Sequence, residues 1–282
     1  MTTFQKVIKY LAFAFAIFLS ISIISGILRV FVALPGFFGT SPSKNETSVY
    51  NQKDLPSAKT SAASNSEITE IKAELSASSL EIKTGDSFQV ESNSKNVEYK
   101  MDNKCLVIKE KKSTLPFHWN QVKVTVTIPK GTIFQAAEIG AGAGEVIIEE
   151  LIADSLKIEL GAGELQAKTL VANNNARIDG GAGSVSITDG ALHNAVLDMG
   201  VGELDYNGTL TGFSHIDYGI GEAQLSLTGS EYDYQISLDK GVGDATINGM
   251  KMGDNSVYGT GANRIEIDGG IGEIDISFQS AF

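Results

Sequence analysis

A Gly-x-Gly tripeptide, followed by an acidic or small polar residue and then usually an aliphatic one, recurs throughout the second half of the chain. The seven copies begin at Gly142, Gly161, Gly181, Gly200, Gly219, Gly241 and Gly270. Their first glycines are 19, 20, 19, 19, 22 and 29 residues apart. A near-constant step of this size is typical of a stacked repeat, in which each unit buries its apolar face only against its neighbours. The repeat constrains the architecture, but it names no chemistry.

Apolar residues on both sides of the tripeptide follow the period of two that half-buried strands show. In one copy Leu197, Met199 and Val201 are predicted to face the interior, and Val201 is the central residue of the tripeptide. The equivalent residues of other copies are predicted to face the interior as well. After the tripeptide the parity slips by one, to Leu204 and Tyr206. A slip beside glycine indicates a bend between two strands. Two strands and two turns per step predict one coil of an all-β solenoid, a β-helix-like stack.

Residues 131–282 are therefore predicted to form a repetitive, acidic β-solenoid. About seven coils, each ~4.8 Å high, would make a rod ~35 Å long. The last interval holds a half-match at Gly259–Thr260–Gly261, so an irregular C-terminal cap is expected. A sandwich of hairpins is the alternative, because Asn207–Gly208 and Asn248–Gly249 are also hairpin signals.

Residues 67–130 contain shorter alternating runs, such as SLEIKTG and QVKVTVTI, which turn signals separate. These runs predict half-buried strands that cap the N-terminal end of the solenoid. The apolar segment Leu115–Trp119 is interpreted as a lid over the end of the core, with a binding loop as the alternative.

The N-terminus, residues 1–34, is predicted to be a cytoplasmic tip and a transmembrane anchor. From Tyr10 to Leu28 the chain carries no charge, and 19 residues as a helix span ~28 Å, about one hydrocarbon core. Two preceding lysines favour an inside N-terminus. A cleaved signal peptide is the alternative, although its apolar region is normally shorter. Residues 35–66 are rich in Ser, Thr and Asn and predict a flexible spacer to an extracytoplasmic domain.

Stacked coils would align acidic residues in two columns. The first column follows the second glycine, with Ser184 interrupting it: Glu145, Glu164, Glu203, Glu222, Asp244 and Glu273. The second lies two residues before the first glycine: Glu159, Asp179, Asp198, Asp217, Asp239 and Asp268. Carboxylates repeated every ~4.8 Å repel one another, and Ca²⁺ prefers such oxygen ligands, so the first column is a candidate Ca²⁺ ladder. The alternative is solvated carboxylates, since the pattern departs from the nine-residue calcium-binding repeat in its step and in the place of its acid.

The sequence contains no recognisable catalytic or cofactor-binding constellation, so we predict that the protein is not an enzyme. Glu203 and Asp205, like Glu273 and Asp275, put two acids on one strand face. They belong to the repeat, however, whereas an active site normally interrupts one. The histidines share no metal-ligand spacing: His118, His193 and His215. The Gly-x-Gly turns also lack the following helix and basic residues that phosphate binding needs.

The charge of the chain is divided unevenly. Residues 1–130 carry 16 Lys and Arg against 11 Asp and Glu, whereas residues 131–282 carry 6 against 23. The repeat region should therefore repel nucleic acid and anionic lipid. Its acidic surface is interpreted either as one that only keeps the domain soluble or as one that attracts cations or a basic partner.

One stretch carries a family resemblance. Residues 122–170, VKVTVTIPKGTIFQAAEIGAGAGEVIIEELIADSLKIELGAGELQAKTL, resemble the bacterial "putative adhesin" family of unknown function, which is common in Gram-positive bacteria. The resemblance extends over residues 68–282 and implies a β-solenoid-like domain displayed outside the membrane. Because some relatives sit beside regulators of cell-envelope stress, it also implies a signalling or surveillance role as an alternative. The family offers no catalytic residues to carry over.

An anchor, a spacer and a repeat together predict a non-enzymatic, membrane-anchored protein that binds or scaffolds an unknown cell-envelope partner. An envelope-stress sensor or regulatory subunit acting through the anchor is the first alternative, and a carbohydrate-active β-helix enzyme is the second. No cofactor is predicted beyond the Ca²⁺ hypothesis.

Overall fold

The computed structural model describes residues 68–111 and 122–280, which form one open 14-stranded β-sheet and a single 3-10 turn. The predicted anchor (residues 10–28), the spacer (35–66) and the Leu115–Trp119 segment lie outside the described residues. Within the described part of the chain, no helix is long and apolar enough to cross a membrane.

The strands differ greatly in length, because several of them continue around the corners of the coil. In chain order they are β1 (Glu70–Leu75), β2 (Ser79–Gly85), β3 (Gln89–Ser92), β4 (Val97–Asp102), β5 (Cys105–Glu110), β6 (Lys123–Pro129), β7 (Ile133–His193), β8 (Ala195–Thr211), β9 (Phe213–Thr228), β10 (Tyr234–Asp239), β11 (Val242–Ile247), β12 (Met250–Lys251), β13 (Ser256–Gly259) and β14 (Asn263–Gln279). The 3-10 turn covers Glu231–Asp233.

The central strands stack as coils of a parallel solenoid. Ile178 pairs with Leu197, and Leu197 pairs with Ile216, so the chain meets itself again 19 residues later. All pairings among β7, β8 and β9 are parallel. The predicted all-β, solenoid-like stack is therefore confirmed, and the alternative sandwich of hairpins is wrong.

The core consists of apolar ladders that run through the stack. Leu197, Ile216, Ile267 and Leu238 are all buried, and each pairs with the next in the neighbouring layer. Because the equivalent position is buried in every layer, each aliphatic side chain packs on its equivalent in the next layer. These contacts between layers stabilise a repeat that cannot bury its apolar face alone. The ladders leave every second residue, and the corners, on the outside.

The order of layers departs from the order of the chain at the C-terminal end. Strand β14 pairs in parallel with β9 on one side and with β10 and β11 on the other. The Gly270 layer therefore lies between the Gly219 and Gly241 layers. This exchange explains the 29-residue interval: the chain completes the outermost coil first and then returns to fill the gap beneath it. The expectation that successive Gly-x-Gly repeats stack in chain order therefore holds only from the Gly142 layer to the Gly219 layer.

The N-terminal end has the same construction. Strands β1 and β2 pair with β7 on one side, and with β5 and β6 on the other, all in parallel. The first coil of the described chain is thus enclosed between the second and the third. Residues 68–111 and 122–130 add two layers to the same sheet, with Ser76–Ala77–Ser78 next to the first Gly-x-Gly corner.

Antiparallel strands cover both outermost coils. At one end β4 pairs with β5 and β3 with β6, and at the other β12 pairs with β11 and β13 with β10. Strand β4 is largely exposed and carries ion pairs, with Lys111 Nζ 2.5 Å from Glu98 Oε1 and Lys100 Nζ 3.3 Å from Asp102 Oδ2. Charged, short edge strands of this kind oppose the end-to-end aggregation that an open parallel edge would invite.

Three buried phenols make the rod sensitive to alkali. Burial raises the pKa of Tyr206, Tyr218 and Tyr234. The folded protein therefore keeps these phenols protonated at a pH where the unfolded chain has begun to release the protons. Their contribution to stability is complete below the ordinary phenol pKa of about 10 and is lost as the pH rises above it.

We expect Tyr206→Phe to lower the stability at neutral pH and to make the loss of stability with rising pH less steep. The Tyr206 hydroxyl donates a hydrogen bond to the Thr209 carbonyl oxygen at 2.7 Å, so its removal should cost about 1 kcal/mol at neutral pH. Above pH ~10 the variant should lose stability less steeply, because one titrating group is gone. Melting temperatures across the alkaline range would measure this, with Tyr232→Phe, at an 81% exposed residue, as the control. Equal slopes in all three proteins would contradict the prediction.

Candidate interaction surface

The Gly-x-Gly tripeptides stack directly on one another and build one corner of the rod. A Cβ atom at Gly221 would overlap the carbonyl oxygen of Gly202 in the adjacent layer. Gly221 also has a φ of +150°, which L side chains rarely adopt. Because neighbouring backbones touch here, only glycine fits on either side of the central residue, and the chain can turn within three residues.

Both acidic columns predicted from the sequence stack in register where strand pairing defines them. Glu203 pairs with Glu222, Glu222 with Glu273, and Glu273 with Asp244. In layer order the Glu column is Glu145, Glu164, Ser184, Glu203, Glu222, Glu273 and Asp244. The Asp column is Glu159, Asp179, Asp198, Asp217, Asp268 and Asp239. The layer exchange therefore reverses the last two members of each column.

The two columns differ in how far cations neutralise them. In the Asp column, Arg177 donates from Nε to Asp179 Oδ2 at 2.8 Å and lies 3.9 Å from Asp198. The hydrogen bond to Asp179 raises the pKa of the Arg177 guanidinium. In the Glu column, no Lys, Arg or His of residues 68–111 and 122–280 pairs with Glu203, Glu222 or Glu273; those carboxylates form an unneutralised stack.

Removing one charge from this stack should stabilise the rod. Glu222 has a carboxylate neighbour on each side, and like charges directly opposite one another on strands cost about 0.2–1 kcal/mol. We expect Glu222→Gln to raise the melting temperature by about 1–3 °C in low salt and by less near 0.5 M NaCl, where screening weakens the repulsion. Thermal denaturation at the two salt concentrations measures the effect.

Glu91→Gln is a matched control, because Glu91 is exposed but pairs with Thr125 rather than with another acid. It should leave the melting temperature unchanged. A melting temperature that falls in Glu222→Gln, or a gain that ignores salt, would contradict repulsion within the column.

The central residues of the tripeptides point outward, which corrects the sequence-based expectation that they face the interior. Val201 is 51% exposed, Ile220 41% and Val242 45%, whereas Met199 and Leu204 on either side are buried. The interior pattern therefore stops before the first glycine and resumes two residues after the second. The sequence did carry a signal for this outward direction. The central residue has glycine on both sides, and the alternation of buried and exposed residues changes parity within that tripeptide.

Together the central residues form a continuous line, which we call the apolar ridge. In layer order it consists of Ala143, Ala162, Ala182, Val201, Ile220, Ile271 and Val242. Bare glycine backbone borders the ridge on both sides, and the Asp and Glu columns lie beyond it. The corner thus presents apolar side chains between two rows of carboxylates.

The Ca²⁺ ladder stays a prediction. The structure brings its carboxylates into a row, one per layer, on an exposed surface. Among the residues that the structure describes, no three His, Cys, Asp or Glu side chains converge as a metal-binding group. A row of single carboxylates presents one ligand per layer rather than the six to eight oxygens that calcium gathers.

The other residues considered for chemistry are dispersed or belong to the repeat. His193 Nδ1 lies 3.0 Å from the Thr211 hydroxyl, and His215 lies 3.8 Å from Glu266 and 3.9 Å from Asp268. His118 is outside the described residues. The acid pairs 203/205 and 273/275 lie on the exposed face of stacked layers, as the sequence pattern indicated.

A shallow depression of about 510 Å³ lies beside the corner at the N-terminal end. Its charged side chains are already engaged: Lys109 Nζ is 2.8 Å from Glu74 Oε2, and Glu110 accepts hydrogen bonds from the backbone N–H groups of Ser76 and Ala77. These contacts join the first two layers of the rod, so the carboxylate of Glu110 serves to close the corner where serine replaces glycine.

The chain is similar to one known protein family and to several solved structures, including those of two bacterial proteins. A family model described as Toastrack DUF4097 matches residues 57–279. A solved structure named a "putative adhesin" from Bacteroides fragilis is 15% identical, with 74% of this chain and 92% of that chain covered and a TM-score of 0.47. A "putative cell adhesion protein" from Clostridium sporogenes is 18% identical, covering 76% and 93%, with a TM-score of 0.31. No curated protein matches the sequence.

Proposed function

Since this chain belongs to the Toastrack DUF4097 family of adhesin-like domains of unknown function, we propose that it is a non-enzymatic, membrane-anchored protein whose β-rod binds or scaffolds another cell-envelope component. The rod would lie outside the cytoplasm, held by the apolar segment Tyr10–Leu28 and lifted from the membrane by residues 35–66. The N-terminus would lie inside.

One observation carries the proposal: the most distinctive outward-facing feature of the described residues is a repeated surface rather than a unique cleft. Seven layers present a Gly-x-Gly corner, and in five of them an acid from each column flanks the central residue of the apolar ridge. Catalysis needs groups that converge on one reacting atom, whereas binding along a surface gains from repetition. The two acid pairs that a carbohydrate-active enzyme could use, 203/205 and 273/275, lie on the exposed face of the repeat and are separated by the Glu222 layer, where Gln224 replaces the second acid.

The charge of the rod supports a protein partner over nucleic acid or an anionic bilayer. Residues 131–282 carry 23 Asp and Glu against 6 Lys and Arg. A strongly acidic surface repels phosphate-rich polymers and anionic headgroups, while it attracts basic surfaces at a distance. The proposed partner is therefore a basic component of the envelope.

Cross-linking on intact cells tests the proposal. A tagged full-length chain and a chain lacking residues 35–282 would be treated with an amine-reactive reagent that cannot cross membranes. The full-length chain should give a discrete adduct of higher mass, because its rod is external and bound, and the deleted chain should give none. An identical adduct from both chains, or no labelling of the full-length chain, would contradict the proposal.

Two further measurements separate the alternatives. An envelope-stress response that survives deletion of residues 35–282 would favour a sensor acting through the anchor. New reducing ends after incubation of the full-length protein with purified wall polymers would favour a carbohydrate-active enzyme. We expect neither result.

A further inference from the structure

The apolar ridge is not uniform along the rod. Its N-terminal half consists of alanines, whereas its C-terminal half consists of Val201, Ile220, Ile271 and Val242, which pair in that order across adjacent layers. Four branched side chains in a row at ~4.8 Å spacing make an apolar strip ~14 Å long between its outer members. Val201, Ile220 and Val242 are exposed, and Ile271 is half-buried. We call these four residues the branched strip.

Carboxylates enclose the branched strip on both sides. Each of its four layers contributes one acid from the Asp column and one from the Glu column: Asp198 and Glu203, Asp217 and Glu222, Asp268 and Glu273, Asp239 and Asp244. The basic side chains that face them are Arg177, 3.9 Å from Asp198; His215, 3.9 Å from Asp268; Lys251, 3.5 Å from Asp244; and Lys240, whose Nζ donates to the Gly243 carbonyl oxygen. The Ile220 layer thus keeps two unpaired acids, Asp217 and Glu222, within the described residues.

The spacing of the strip suits an α-helix better than an extended chain. Helix positions i, i+3, i+7 and i+10 fall on one face and span 15 Å, close to the ~14 Å strip, with a mean step near 5 Å. Same-face residues of a strand recur every ~6.7 Å, so they lose register with the ridge after one residue. Lysine or arginine on the flanks of such a helix can lay its methylene stem along the glycine backbone and reach the carboxylates.

We propose that the branched strip binds a basic amphipathic helix of a partner protein. The inference rests on the proposed binding function and specifies its site and partner class. Charge complementarity selects this occupant: a second copy of the chain would bring its own acidic columns against these, and an anionic bilayer would be repelled. The helix lays its apolar stripe on Val201, Ile220, Ile271 and Val242, with its basic flanks over the two columns.

A designed peptide tests this site. The probe is an 18-residue, fluorescein-labelled helix of leucine, lysine and alanine, with leucine at i, i+3, i+7 and i+10 and lysine on both flanks. The reference is a peptide of identical composition whose leucines are spread around the helix. Fluorescence anisotropy with the full-length protein in a non-ionic detergent, corrected with protein-free micelles, should show at least tenfold tighter binding of the amphipathic peptide. Its affinity should fall steeply between 50 and 500 mM NaCl.

Ile220→Asp separates apolar docking from charge attraction. The substitution adds a carboxylate, so attraction by charge alone would strengthen binding, whereas docking on the strip predicts a loss of at least tenfold. Phe213→Asp is the matched control, because Phe213 is 54% exposed and lies off the ridge; it should change the affinity less than twofold. Ile220→Ser replaces Ile220→Asp if the latter fails to fold, with the same expected loss.

The outcomes are decisive in either direction. Equal affinity of the two peptides, or unchanged or tighter binding by Ile220→Asp, would overturn the strip as a helix site. In the cellular cross-linking experiment, an adduct that persists in Ile220→Asp would overturn the strip as the envelope-binding site and leave the proposed function standing. Absence of any adduct from the unaltered chain would overturn the proposed function. The peptide titration would still test whether the branched strip binds a basic amphipathic helix.

Discussion

Replacing Gly221 with alanine should lower the free energy of unfolding by more than about 4 kcal/mol, or prevent the C-terminal layers from folding at all. The added Cβ would overlap the Gly202 carbonyl oxygen, which is backbone and cannot turn aside. Gly221 also has a φ of +150°, which alanine adopts only under strain. Since Gly272 stacks on the other side, any shift that relieves the overlap disturbs a second layer.

Two other glycines separate the causes of this loss. Gly249→Ala places a side chain in open space at a φ of +72°, so it reports the conformational cost alone, about 1–2 kcal/mol. Gly253→Ala meets no atom within 4 Å and has no positive φ, so it should change stability by less than about 0.5 kcal/mol. Urea denaturation and soluble yield would rank the three variants. If Gly221→Ala were no worse than Gly249→Ala, close backbone contact at the corner would not explain the glycines.

Ending the chain after Ala262 should destroy more than one layer of the rod. The deletion removes β14, which lies between β9 and the outermost strands β10 and β11. A solenoid stacked in chain order would lose only its last coil, and the preceding coil would become the new end. Here the deletion exposes the face of β9 and leaves β10 and β11 without their parallel partner, so aggregation or loss of order in residues 213–262 is expected.

Hydrogen exchange measured by mass spectrometry would locate the damage. Backbone amides of β9, β10 and β11 should lose protection together in the shortened chain, while those of β7 should keep it. A chain ending at Ser280 retains all of β14 and serves as the control, with protection unchanged throughout. Protection retained in β10 and β11 without β14 would contradict the layer exchange.

The candidate surface was partly predictable from the sequence. The Glu and Asp columns follow from the repeat alone, because a step near 19 residues fixes which acids share a column once coils stack in parallel. The alternation of apolar residues does not predict the outward direction of Val201 and Ile220. In the sequence, the apolar residues at every second position continue up to the central residue of the tripeptide, which suggests that this residue is buried. The backbone bends at the paired glycines, and that bend rather than alternation decides which way the central side chain points.

By itself the sequence determined the coil: its length, the apolar ladders inside it, the glycine corners and the acidic columns. These features are local, because each depends on residues within one repeat and on their immediate equivalents. Only the tertiary structure decided the order in which the layers lie at the two ends. Because different coils have nearly identical faces, the sequence of one coil does not predict which other coil packs against it. Enclosing both terminal coils gives each of them a partner on both faces, and short antiparallel strands protect the coils that become outermost instead.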